Sequence, residues 1–82
     1  MFKDYVYLIE EACCEVGDES KEMTFIIEAH RSKDAAIASI ENWGKKNGGV
    51  PAEGIPHGYR CSYESDPDHV YYRSIIEREL VD

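Results

Sequence analysis

Basic residues are scarce in this sequence. Nine Lys and Arg stand against seventeen Asp and Glu, for a formal net charge of -8. Nucleic acids and anionic membranes are polyanions that proteins hold through Lys and Arg, so neither is an expected partner. The balance favours a protein partner with a basic surface. Long apolar runs are missing as well. The start, MFKDYVYLIEE, has charges at Lys3 and Asp4 and only Tyr5 to Ile9 before Glu10. That is too short for a signal-peptide core, and no later stretch is long enough to span a bilayer. The expected location is the cytoplasm, where thiols stay reduced.

Cysteine is sparse and unpatterned. Cys13, Cys14 and Cys61 are odd in number and lack CxxC spacing, which argues against a disulfide framework and a zinc ribbon. His57, Cys61, His69 and Cys13 could be proposed as four zinc ligands, but they come from separate segments. No paired carboxylates lie in apolar surroundings that would raise a pKa for acid/base work. The glycine-rich run lacks the Lys-Ser/Thr ending of a phosphate-binding loop. The expectation is therefore a protein that is not an enzyme and needs no metal or cofactor.

What is present is patterned. Eighty-two residues, 43% of them hydrophobic, make one small domain spanning 1–82. The even positions Val6, Leu8, Ala12, Cys14 and Val16 alternate, and Met23, Phe25, Ile27 and Ala29 repeat the period. A four-residue loop, Gly17 to Ser20, pairs Cys14 with Met23 and Ala12 with Phe25, giving a hairpin over 5–31. Cys14 then faces the core and Cys13 the other side, so the pair belongs to a strand and cannot chelate one ion.

Ser32 is a helix N-cap, Asp34 lies in the first turn, and Lys45 and Lys46 lie in the last. Ala36, Ile37, Ile40 and Trp43 form the buried stripe of a helix over 33–47, and Gly48 suits a left-handed residue after its end. Four glycines and two prolines make 48–58 a loop. The second hairpin, 59–80, turns at Asp66 to His69 and pairs Tyr63 with Tyr72 and Cys61 with Ser74. The β-branched and aromatic start favours the strand, but Asp66 and Pro67 also suit the start of a helix, which leaves 67–81 open between strand and helix.

The fold class is α+β. It is a two-layer ββαββ plan, with a four-stranded antiparallel sheet and one helix on one face. The open face should then carry Tyr5, Tyr7, Ile9, Ile26, Tyr71 and Ile75, more apolar surface than a lone monomer needs. That patch suggests an interface, with a partner or in a homodimer. Glu15, Asp18, Glu19 and Glu22 cluster on the first hairpin and are the expected contacts for a basic groove.

The run TFIIEAHRSKDAAIASIENW, a strand leading into a Ser-capped, Ala-rich helix, resembles small phage-encoded accessory proteins. In size, acidity and plan the chain is similar to anti-CRISPR and other anti-defence proteins. The resemblance implies stoichiometric binding to a host or defence protein, at a nucleic-acid-binding or subunit-interface surface, without catalysis. Two other readings stand beside it. One is a homo-oligomer that binds a nucleotide or metabolite through the glycine-rich loop and the tyrosines. The other is a structural subunit recruited by the open sheet face.

Overall fold

A computed structural model describes residues 4–80, with only the backbone at 19–21. Strands β1 (Tyr5–Glu15) and β2 (Asp18–His30) precede helix α1 (Lys33–Lys46), and β3 (Val50–Pro51), β4 (Tyr59–Tyr63) and β5 (Asp66–Glu79) follow. The five strands form one antiparallel sheet in the order β2-β1-β5-β4-β3, with β1 and β5 at its centre. The expected plan of four strands thus gains β3, a two-residue strand inside the Gly/Pro segment, paired with β4 through Val50 and Pro51. Residues 66–79 are strand, so the helix alternative for that segment does not hold. Their Tyr, Val and Ile content fits the pleated surface better than a helix.

The helix begins as its sequence signals. The Ser32 hydroxyl accepts a hydrogen bond from the Ala35 N–H, Asp34 sits in the first turn, and Lys45 and Lys46 sit in the last. Asn47 caps the C-terminus and Gly48 follows with φ 67. Ala36, Ile40, Trp43 and Gly44 are buried, while Ile37 is half-buried.

Both hairpin registers differ from the sequence expectation. The first turn is two residues long, with Glu15 paired to Asp18 and Gly17 at φ 89, where a side chain would be strained. An irregularity at the Cys14/Glu15 step takes up residues 19–21, so Cys14 pairs with Glu22 and Cys13 with Met23. A one-residue slip moves every side chain to the other face. A second irregularity, at Ile27, then restores the expected register, with Ile9 opposite Glu28 and Leu8 opposite Ala29. The second hairpin turns earlier than expected. Tyr63 pairs with Asp66, and past a further irregularity Cys61 pairs with Tyr71 instead of Ser74.

The largest correction concerns which face the helix covers. Ile9 is fully buried with Ala36 and Ile40, and Tyr7, Tyr59 and Ile75 pack against them. Tyr7, Ile9, Tyr71 and Ile75 were expected on the open face, yet Ile9 and Ile75 lie under the helix and the strand alternation puts Tyr7 and Tyr71 on their side. By the same alternation Tyr5 belongs to that side, at the far end of β1. Of the six, Ile26 alone stays on the uncovered side, 53% exposed. Paired charges decide the choice. The covered face carries Glu11 opposite Arg73, which neutralise each other, whereas the other face carries Glu10 opposite Ser74, with no ion-pair partner among the described residues. Burying an unpaired carboxylate under a helix costs far more than burying an ion pair with a hydrogen bond. Full burial of Ile9 and Ile40 contributes roughly 1.5–3 kcal/mol each.

Candidate protein-binding surface

The helix-covered side is chemically closed. The Arg73 Nε donates to Glu11 Oε2 at 2.8 Å, and the guanidinium lies 4.3 Å from the centre of the Trp43 ring. Trp43 Nε1 donates to the Tyr63 hydroxyl at 2.8 Å. Glu28 Oε1 accepts from the Ser39 hydroxyl and lies 2.8 Å from His30 Nε2. The His30 contact first, and then the Ser39 bond, hold the Glu28 carboxyl below its ordinary range. Toward the second turn, the Tyr71 hydroxyl donates to Asp66 Oδ2 at 2.6 Å, and His69 Nδ1 lies 2.8 Å from Asp66 Oδ1. Those two contacts lower the Asp66 pKa, and Asp66 raises that of His69. Cys61 is buried, which pushes its thiol pKa up.

Cys13, Cys14 and Cys61 are free thiols; Cys13 and Cys14 lie on opposite faces as alternation requires, but with Cys13 on the helix-covered side and Cys14 on the other, the reverse of the expected assignment. Among the described residues no three His, Cys, Asp or Glu side chains are grouped to hold a metal ion. A hollow of about 520 Å³ between the two hairpin turns is lined by Glu15, Val16, Pro67, Asp68 and His69. Among the described residues, no helix is long and apolar enough to cross a membrane.

The uncovered face is different. Its floor is laid by the even positions of β1 and β5, where Ala12 lies opposite Tyr72, Glu10 opposite Ser74 and Leu8 opposite Ile76. A recess of about 380 Å³ opens there, lined by Glu10, Ala12, Cys14, Glu22, Ile55, Tyr72 and Ser74. Ile55 reaches it from the Gly/Pro segment, whose chain doubles back through Gly58 N–H to Ile55 C=O and Ala52 N–H to Gly58 C=O. Arg60 Nε donates to the Tyr72 hydroxyl at 3.1 Å and stacks 5.9 Å from its ring centre. The carboxylates of Glu10 and Glu22 have no ion-pair or hydrogen-bond partner among the described residues. Polar side chains converging on an apolar concavity are the usual make-up of a recognition site.

The four acids expected to act together are separated. Glu22 lines the recess, Glu15 is exposed at the end of β1 opposite His69, and Asp18 is half-buried at the start of β2. The side chain of Glu19 lies outside the described residues. Glu10, Tyr72, Ser74 and Ile55 were not singled out from the sequence. A signal existed for Glu10, a charge interrupting the otherwise apolar series Val6, Leu8, Ala12, Cys14. Ile55 had none, because its approach depends on how the segment 48–58 folds back. No protein-family model, curated protein or solved structure matches the chain.

Proposed function

We propose that the protein is a non-catalytic binding module that docks a basic protein surface on its uncovered sheet face. The observation that carries this reading is the pair Glu10 and Glu22. These are two carboxylates without an ion-pair or hydrogen-bond partner among the described residues, beside Ala12, Cys14 and Ile55 in a recess that no helix covers. A Lys or Arg side chain entering the recess would set its aliphatic stem on Ala12 and Ile55 and its charge between the carboxylates. The net charge of -8 steers a basic partner toward this surface and turns polyanions away. Inhibition of a host or defence protein by occupying a nucleic-acid-binding or subunit surface is one use of such a module.

The test is capture with two baits, the native chain and a Glu10→Lys, Glu22→Lys double variant. A partner held by the native bait and lost by the variant, with an on-rate that falls as salt rises, supports the reading. A partner indifferent to both changes sinks it. A second reading rests on the recess itself, since about 380 Å³ falls within the range of small-ligand pockets, roughly 300–1,000 Å³. A metabolite co-purifying with the native chain would favour that reading.

A further inference from the structure

The two edges of the sheet are built differently. At one edge β3 is two residues long and contains Pro51, which has no N–H to offer. Short strands and proline are common ways of closing an edge against further pairing. At the other edge β2 runs for thirteen residues, and among the described residues no strand pairs with its outer backbone groups. Helix α1 reaches β2 at Glu28 through Ser39, and nearer the turn the described residues 22–27 are exposed. There Met23 is 64% exposed, Phe25 52% and Ile26 53%. Exposed apolar side chains on an unpaired edge form a template for another strand.

We infer that β2 pairs antiparallel with β2 of a second copy, about a two-fold axis at Thr24, joining two five-stranded sheets into one of ten strands. The sequence of the strand selects both the occupant and the register. Centred on Thr24, Met23 lies opposite Phe25 of the partner on one face, and the reverse contact is made twofold. Thr24 meets itself, and Glu22 faces Ile26, so no like charges oppose one another. Centring on Phe25 instead sets Glu22 against Glu28. The irregularities at Ile27 and at 19–21 bound the regular stretch of β2, which confines pairing to Glu22–Ile26. Such an axis runs perpendicular to the sheet, so both uncovered faces point the same way and present two recesses to one side.

This inference rests on β2 alone and stands whether or not Glu10 and Glu22 bind a basic partner. Its salt response also has the opposite sign. Two copies of charge -8 repel, so added salt tightens self-association, while it weakens docking to a basic surface. Sedimentation equilibrium of the full chain tests it. The native protein should show twice the 9.4 kDa chain mass, with the dimer fraction rising with salt. Met23→Lys with Phe25→Lys sets Lys against Lys and should halve the mass. Met23→Lys with Phe25→Glu sets Lys against Glu and should keep the dimer. Circular dichroism checks folding, and if the Lys–Lys variant unfolds, Thr24→Lys at an already exposed position gives the same readout. A native monomer at every salt concentration, or a Lys–Lys variant that remains dimeric and folded, overturns the inference.

Discussion

Arg73 lies with its guanidinium over the Trp43 ring, 4.3 Å from the centroid, and this contact fastens the helix to the centre of the sheet. The same arginine neutralises Glu11 from the neighbouring strand, each side chain 20% exposed. One side chain therefore joins β1, β5 and α1. Arg73→Met should lower stability by roughly 1–3 kcal/mol, because it removes the cation–π contact and leaves Glu11 without its partner. Urea unfolding followed by Trp43 fluorescence measures this, and Glu11→Gln in the Arg73→Met background should recover part of the loss.

Gly44 sits where the helix crosses Tyr59, and a Cβ there would collide with the Tyr59 ring at Cδ1 and Cγ. In an exposed helix Gly→Ala gains about 1 kcal/mol from propensity. Here overpacking against the base of the ring costs about 1–3 kcal/mol, so Gly44→Ala should destabilise. Thermal melts of Gly44→Ala alone and with Tyr59→Ala separate the two effects, since removing the ring should abolish the penalty.

Asp66 and His69 give the stability profile a pH dependence of definite sign. Asp66 is held low by Tyr71 and then His69, so its contribution is present above the ordinary carboxylate range and is lost as pH falls through its lowered pKa. His69 is raised by Asp66, so its contribution is full below the ordinary histidine value and is lost as pH rises through the raised one. Native protein should exceed Asp66→Asn most between about pH 4 and 6.5, the interval between ordinary Asp and His pKa values. NMR titration of the His69 ring should give a pKa above about 6.5 in the native chain, falling toward that value in Asp66→Asn.

Thiol accessibility follows burial. Cys14 is 3% exposed and Cys61 is 1%, whereas Cys13 is only half-buried beside Tyr71. A disulfide reagent should modify one thiol quickly and two at the rate of global opening, and peptide mapping should identify the fast one as Cys13.

The helix was legible because its signals are local. Ser32, Asp34, Lys45, Lys46 and Gly48 act within a turn of their own positions. Strand existence was legible from alternation, and the two cysteines could be placed on opposite faces from that alone. Register was not. It depends on turn length and on irregularities at residues 14–15 and 27, and an odd shift there reverses which side chains face the helix. The covered face was hidden for a related reason. Each face carries a similar number of large apolar groups, and the deciding pair, Glu11 with Arg73, is separated by 62 residues in sequence.

The account turns on Glu10 and Glu22 forming the contact surface, and carboxylate footprinting of the captured complex tests this most directly. A carbodiimide-coupled amine should label both residues in the free protein and lose reaction at both on binding. Asp34 and Glu41 on the helix should keep theirs. Equal labelling of Glu10 and Glu22 in the free and bound states would contradict the account, and protection of Asp34 and Glu41 instead would move the interface to the helix side.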